Sequence, residues 1–150
     1  MFQAGVVSAA PAFACLLPSI GRRWRVSDGN WTVESTGSWS LRELAERQAA
    51  AGPPYLEFVR RPGLSFGLYV LAAGAVDGQS PHTEDEVYVV MEGRARLTMG
   101  NDEIPVEPGT VAFVAAGVDH RFHDIVERLV VLVAFGPAEG SRTEESPAAS

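Results

Sequence analysis

The sequence predicts a single all-β domain, a sandwich or barrel, with one helix in front of it. From Tyr55 onward, short strand-like runs are separated by Gly, Pro, Asp or Asn, with no helical patterns between them. Such spacing is typical of all-β folds. The chain has 150 residues, 46% of them hydrophobic, which is enough for one core and too little for two. The final run, LVVLVAF, is apolar on both faces, so other elements must cover both of its sides.

Charge and cysteine content narrow the class of protein. The formal net charge is -7, and all 12 basic residues are arginines scattered along the chain. Because no basic stripe is present to neutralise phosphates, we expect no nucleic-acid partner. Cys15 is the single cysteine, which excludes an internal disulfide framework and favours a cytoplasmic protein. An exported form, cleaved after Ala14 and lipidated on Cys15, is the less favoured alternative.

Residues 1–36 are predicted to form an extension outside the main domain, with edge strands or a hairpin as its expected structure. The segment Ala4–Gly21 is small and apolar, as an anchor or signal would be. No positive charge precedes it, and Pro11 and Pro18 interrupt it, so we expect no membrane association. The turn signal Asp28-Gly29 within WRVSDGNWTV predicts a short hairpin.

One helix is predicted at the start of the main domain, which we place at residues 37–139. Ser40 can cap its first turn, Glu43 completes a capping box, and Gly52 ends it, so the helix spans residues 41–51. Its apolar side chains form one narrow stripe, which we expect to lie against the body of the domain.

Eight strands are predicted after the helix, in the runs YLEFV, LSFGLYVLA, EVYVVM, RARLTM, EIPV, TVAFVA, DHRFHDI and RLVVLVAF. Gly100–Asp102 predicts a tight hairpin and Pro108–Gly109 a second turn. The polar, acidic residues 140–150 predict a disordered tail. Either the N-terminal elements or a second subunit could cover the two-faced last strand, and this strand favours a homodimer.

The spacing of the histidines carries the strongest functional signal. Two frames can be written from the sequence: Gly74-x5-Ser80-x-His82-x3-Glu86-x6-Gly93, and Gly109-x5-Ala115-x-Gly117-x2-His120-x3-Asp124. They resemble the two motifs of the cupin superfamily, the first with Gly, two His, Glu and Gly, the second with Gly, Pro, Gly, His and Asn. Ser80, Ala115 and Asp124 depart from that pattern. The resemblance covers Leu64 to Phe135 and implies a double-stranded β-helix, or jelly-roll, barrel.

The same resemblance implies a metal site, and strand geometry is consistent with it. His82, Glu86 and Tyr88 share a strand face, because side chains two apart point the same way. On a neighbouring strand His120 shares its face with Phe122 and Asp124, which leaves His123 pointing outward. Two imidazoles and one carboxylate form a set that leaves positions open on a divalent metal. Fe(II) is the favoured ion, with Mn, Ni, Co or Zn as alternatives.

Four further residues have open roles. Ser80 is a weak fourth ligand, a water anchor, a small residue that enlarges the site, or the sign of a lost metal. Glu84 shares the parity of Glu86 and could substitute as a ligand, but it lies where a turn is predicted, so we expect it, like Asp85, to be exposed. Asp124 hydrogen-bonds a ligand histidine, acts as an acid or base in the cavity, or only ties down a loop. Tyr88 either packs the barrel or moves protons.

Three functions are consistent with these residues. The first is an enzyme on a small organic molecule, resembling the Fe(II) dioxygenases of the family. The second is an isomerase, epimerase or lyase that uses a redox-inactive ion as a Lewis acid, with Asp124 or Tyr88 moving protons. The third is a cupin that binds a small ligand without turning it over, since the fold does not decide function.

Overall fold

The computed structural model describes residues 25–27, 30–32 and 36–142, the first two segments by their backbone pairing alone. The elements are β1 (Arg25–Ser27), β2 (Asn30–Thr32), α1 (Leu41–Ala51), β3 (Tyr55–Arg61), β4 (Leu64–Leu71), β5 (Asp85–Glu92), β6 (Ala95–Met99), β7 (Asp102–Val106), β8 (Val111–Val114), β9 (His120–His123) and β10 (Leu129–Gly136). Strands β1 and β2 form an antiparallel hairpin. Residues 1–24 of the predicted extension lie outside the described residues.

Two antiparallel sheets make up the domain. The larger sheet has the strand order β3-β4-β10-β5-β8, and the smaller has the order β7-β6-β9. Strand β10 comes last in the chain yet lies in the middle of the larger sheet, between β4 and β5. The consecutive strands β4 and β5 are therefore separated by β10, and β9 and β10 lie in different sheets, as in a double-stranded β-helix. The predicted all-β jelly-roll fold with one leading helix is confirmed.

The core between the sheets consists of side chains that alternate along the strands. Burial in β5 follows this period, with Glu86, Tyr88 and Val90 buried and their sequence neighbours more exposed. Opposite them Leu97 and Phe122 of the smaller sheet are 0% and 1% exposed. Alternation of this kind is what a strand with one buried face requires. It places the carboxylate of Glu86 inside the barrel.

Helix α1 covers the outer face of the larger sheet. Ser40 caps it by accepting a hydrogen bond of 3.1 Å from the amide of Glu43, and the helix spans the predicted residues. Leu44 of the helix packs against Phe58, Leu68 and Val130. This second cluster explains why β10 is apolar on both faces, because one face meets the core and the other meets the helix. The observation behind the predicted homodimer thus has an explanation within one chain. The described residues include no helix long and apolar enough to cross a membrane.

Two of the turns depend on glycine. Met99 pairs with Asp102, so Gly100 and Asn101 form the predicted tight hairpin between β6 and β7. At the end of β5, Gly93 has φ 85° and lies directly against the chain that leads into β10. A side chain at this position would collide with the carbonyl oxygen of Arg128. Only glycine meets both conditions, the left-handed backbone and the close approach.

The chain after β10 turns back onto the barrel and is held by Glu84. This side chain is only 2% exposed, and it accepts a hydrogen bond of 2.9 Å from the backbone amide of Arg142. The expectation that Glu84 is solvated was wrong, because the inward parity of β5 continues past its first residue and the C-terminal segment covers it. Asp85 is exposed, as expected. Of the predicted tail, residues 143–150 lie outside the described residues.

The pKa of Glu84 follows from these contacts. Burial raises it, but hydrogen bonds from the backbone amides of Arg142, Gly140 and Ser141 and from the Thr83 hydroxyl outweigh burial and lower the pKa below its ordinary value. Hydrogen bonds to the ionised carboxylate favour the charged form. The ionised carboxylate of Glu84 therefore holds residues 140–142 against the start of β5.

Replacing Gly93 tests the close approach. We expect Gly93→Ala to lower the free energy of unfolding by about 2–4 kcal/mol, because the cost of a left-handed backbone adds to an overpacking clash. Gly109→Ala is the matched control, since Gly109 has φ 93° with open space around its Cα, and it should cost about half as much. Urea denaturation measures both variants, and equal losses would show that the clash with Arg128 does not exist.

Glu84→Gln tests the anchor of the C-terminal segment. The variant should lose about 2 kcal/mol of unfolding free energy near neutral pH, because charge-assisted hydrogen bonds become neutral ones. The folded pKa of Glu84 is lowered, so its stabilisation is complete above the ordinary value of 4.5 and disappears as the pH falls through the folded pKa. Unfolding curves across the acid range should therefore converge for the two proteins. Glu107→Gln, at a 72% exposed side chain, should leave stability unchanged, and parallel curves for Glu84→Gln would contradict the assignment.

Candidate metal centre

Three of the four predicted metal ligands meet inside the barrel. Glu86 lies on β5 of the larger sheet, His120 begins β9 of the smaller sheet, and His82 lies in the loop before β5. One ligand atom from each falls within 4.8 Å of the others. The sequence placed His120 on a strand neighbouring that of Glu86. This was wrong, because the two residues approach each other across the interior from opposite sheets.

The ring of His120 has its tautomer fixed by the backbone. Its Nδ1 lies 2.7 Å from the carbonyl oxygen of Val118, and because a carbonyl can only accept, Nδ1 must carry the proton. The other nitrogen, Nε2, therefore directs a lone pair into the site. A hydrogen bond from the second ring nitrogen is the usual way to orient a metal-binding histidine.

The lone pair of His120 is directed at the carboxylate of Glu86. Nε2 and Oε2 are 3.0 Å apart, and both side chains are at most 2% exposed. Neither atom meets the geometry of a hydrogen bond to any described residue. Two buried electron-pair donors at this distance need a cation between them, either a proton or a metal ion. Burial lowers the pKa of His120, but Glu86 and the Val118 carbonyl outweigh it and raise that pKa.

His82 completes the cluster from the exposed side. Its Nε2 lies 4.0 Å from Oε2 of Glu86, and its side chain is 20% exposed. The imidazole packs edge-on against Phe135, with ring centroids 4.8 Å apart. Its Nδ1 lies 3.8 Å from the Oε1 atom of Glu139. Buried nitrogen and oxygen donors with unused lone pairs fit a divalent first-row metal ion.

A cavity of about 130 Å³ opens beside the three ligands. Aromatic side chains form most of its wall, and a few polar groups point into it. Its lining residues are Tyr55, Tyr69, Gln79, His82, Glu86, Tyr88, Val133, Phe135 and Glu139. The shared face predicted for His82, Glu86 and Tyr88 is confirmed by this lining. The volume is below that of pockets for drug-sized ligands, which span roughly 300–1,000 Å³.

A buried carboxylate that the sequence analysis missed organises one wall of the cavity. Asp77 is 7% exposed and accepts hydrogen bonds from the Tyr69 hydroxyl at 2.6 Å and the Gln79 side-chain amide at 2.7 Å. It also accepts one from the backbone amide of Phe122. Gln79 in turn accepts from the Tyr88 hydroxyl at 3.0 Å. In the sequence Asp77 precedes a glycine and has the signature of an exposed turn, so its burial had no visible signal.

The tyrosines of the cavity remain protonated at neutral pH. Burial raises the pKa of Tyr55, Tyr69 and Tyr88 above the ordinary value, and nearby carboxylates raise it further. The Tyr69 and Tyr88 hydroxyls donate to Asp77 and Gln79. The hydroxyl of Tyr55 is buried and has no hydrogen-bond partner among the described residues. It is therefore a donor available to a molecule in the cavity.

Ser80 and Asp124 are not brought to the cluster. Ser80 is exposed, and its neighbour Gln79 faces the cavity instead. Asp124 follows the last residue of β9 with φ 48°, and this left-handed turn breaks the alternation that His120 and Phe122 obey. Its side chain is 71% exposed and lies 3.3 Å from Nδ1 of His123. The prediction of a cavity-facing Asp124 was wrong.

The other two residues weighed as site candidates also lie outside the cluster. His123 faces away from it, as expected, and contacts Thr98 and Glu103. Glu84 binds the C-terminal backbone and does not reach the ligands.

Comparison with known proteins gives the family. A family model described as a cupin domain matches residues 67–135. An uncharacterized protein of Streptomyces coelicolor is 48% identical over 102 residues, which cover 68% of this chain and 97% of that protein. The segment matched by the family model includes both sequence motifs.

Solved structures show the same fold. An RmlC-like cupin from Shewanella frigidimarina superposes with a TM-score of 0.51 at 20% identity, covering 56% of this chain and 75% of that one. An RmlC-like cupin family protein with a double-stranded β-helix fold, from Methanocaldococcus jannaschii, gives 0.50 at 17% identity, with 54% and 76% covered. The two sheets, the paired motifs and these matches agree, and the chain belongs to the cupin superfamily.

Proposed function

We propose that this protein is a metal-dependent cupin enzyme that acts on a small organic molecule, with Fe(II) as its preferred ion and dioxygenase-like chemistry. The observation that carries the proposal is the contact between Glu86 Oε2 and His120 Nε2, two buried donors 3.0 Å apart without hydrogen bonds. Only a cation relieves this arrangement, and His82 offers the third donor that a metal ion needs and a proton does not.

The donor set favours an ion with open positions. Three protein ligands leave room for other molecules to coordinate, which suits reactions between two partners at one metal. Fe(II) bound there would supply oxygen-activating chemistry. The chain supplies the surroundings: Val118 fixes the ring of His120, and aromatic side chains line the cavity beside the ligands.

The cavity residues would position a substrate through hydroxyl donors. The Asp77–Gln79 pair holds the Tyr88 hydroxyl in place, and the unpartnered Tyr55 hydroxyl can donate to a bound oxygen or nitrogen atom. Both phenols have raised pKa values, so their role at neutral pH is donation and not removal of a proton. Proton transfer by Tyr88 would require its hydroxyl to leave Gln79 Oε1 or to act through a water molecule.

A second candidate function is also metal-dependent but uses another ion in place of Fe(II). With Zn, Ni, Co or Mn as a Lewis acid, the same site would support an isomerase, epimerase or lyase. The free hydroxyl of Tyr55 favours this alternative, because such reactions need a proton donor close to the polarised group. A ligand-binding cupin without turnover is the third reading, and metal content separates it from the other two.

Metal analysis after anaerobic purification tests the proposal. We expect stoichiometric iron in the wild type and loss of metal in His82→Ala and His120→Ala, because each variant removes a nitrogen donor from the cluster. His123→Ala is the matched control, since His123 lies outside the cluster, and it should retain the wild-type metal content. Circular dichroism should show that all four proteins are folded.

The identity of the ion then separates the candidates. Zinc or nickel in the wild type would shift the proposal to Lewis-acid chemistry. Folded wild-type protein that takes up no divalent ion, even on reconstitution, would refute both metal-dependent functions.

Ser80→His tests whether position 80 can complete the ligand set. Because Ser80 is exposed and Gln79 occupies the adjacent wall, we expect the metal dissociation constant to stay at its wild-type value. Isothermal titration with Zn(II) measures it for both proteins. Clearly tighter binding by the variant would show that this loop can deliver a fourth ligand.

A further inference from the structure

We infer that the cavity beside the metal centre selects a small organic cation, and that Glu139 recognises its positive charge. The inference deepens the proposed function, because it assigns a substrate class to the same site. It depends on the charge distribution around the cavity, the aromatic surfaces of its wall, and the fixed position of Glu139.

The charge of the lining is negative. Among the residues that line the cavity, Glu86 and Glu139 carry carboxylates, and none is an arginine. The chain contains no lysine at all. Arg60 is close, but its Nη1 binds Glu57 Oε2 at 2.8 Å and its Nη2 binds the backbone oxygen of Glu139 at 2.7 Å. The hydrogen bonds of the guanidinium are therefore directed at other groups, and among the described residues His82 is the one basic side chain within 4 Å of the Glu139 carboxylate.

The aromatic wall suits a cation as well. Tyr55 stands nearly perpendicular to Phe135, at an interplanar angle of 83°, and at 67° to Tyr69, with centroid distances of 6.4 Å in both cases. Rings set at steep angles to one another form a box in which at least one ring can turn its face to the ligand. The faces of aromatic rings attract ammonium groups, whereas a carboxylate gains nothing from them.

Glu139 is held in position before any ligand arrives. Its backbone amide donates to Ser65 Oγ at 2.9 Å, and Arg60 holds its backbone oxygen. The segment that follows is fastened by Glu84. Pairing with a ligand then requires ordering of the side chain alone and no ordering of the backbone. At 32% exposure, the carboxylate lies at the mouth of the cavity, where it can meet the charged end of a molecule whose other end faces the ligands.

The electrostatic balance of the whole site agrees with this assignment. The carboxylates of Glu86 and Glu139 together would balance the charge of a divalent ion. A negatively charged ligand would therefore be repelled by Glu139 at the mouth of the cavity. A ligand with an ammonium group would instead pair with Glu139 while a neutral donor atom reached the metal.

Binding of three probes of similar size tests the inference. Propylammonium, 1-propanol and propionate are titrated by ligand-observed NMR into wild-type protein, both metal-free and zinc-loaded. We expect propylammonium to bind about tenfold more tightly than 1-propanol, because an ion pair with a carboxylate that is two-thirds buried is worth about that factor. In Glu139→Gln the affinity for propylammonium should fall about tenfold, that for 1-propanol should not change, and that for propionate should rise.

A matched control and two readouts keep the outcomes separate. Glu127→Gln removes the same charge from a 56% exposed side chain that pairs with Arg94, and it should leave all three affinities unchanged. Equal binding of cation and alcohol by the wild type, an unchanged preference in Glu139→Gln, or no binding of any probe would overturn the inference. If the metal content is zero but the cation preference is present, the proposed enzyme function fails and the charge selection stands. If metal binds but the cation has no advantage over the alcohol, the charge selection fails and the proposed metal-dependent function stands.

Discussion

The contact between Glu86 and His120 is the constraint on which the site depends. A carboxylate and an imidazole lone pair, buried at 3.0 Å without hydrogen bonds, would destabilise the barrel unless a cation joined them. The surrounding structure keeps the two groups facing each other, and no described residue offers either atom a hydrogen bond. Val118 fixes the imidazole tautomer, the two sheets hold the residues face to face, and both side chains are almost fully buried.

The packing of the domain explains why such a contact can be held. Strand β10 is central in the larger sheet and apolar on both faces, since the core covers one side and α1 the other. This double burial makes the sheet a rigid support for β5 and therefore for Glu86. The C-terminal segment adds a second restraint, because Glu84 fastens it beside the cavity and so brings Glu139 to within 3.8 Å of His82. Ligand geometry and cavity size are set by the same packed elements.

Strand periodicity succeeded where strands are regular and failed where they end. It placed His82, Glu86 and Tyr88 on one face, and all three line the cavity. It failed at Asp124, where a left-handed residue ends the alternation. At Glu84 the parity was right and the turn-based expectation of exposure was wrong, because the C-terminal segment covers this residue. Asp77, Gln79 and Glu139 could not have been predicted, because their burial depends on which loop and which terminal segment fold over the barrel. The alternation of side chains along one strand does not tell which loops or terminal segments cover that strand.

The sequence by itself determined the fold class, the leading helix and the three candidate ligands, because these depend on local periodicity, capping residues and the spacing of two motifs. The tertiary structure alone decided which atoms face one another. It put His120 in the sheet opposite Glu86, excluded Ser80 and Asp124, and lined the cavity with tyrosines and Glu139. The physical reason is that long-range strand pairing brings together residues far apart in the chain. No short-range pattern encodes that pairing.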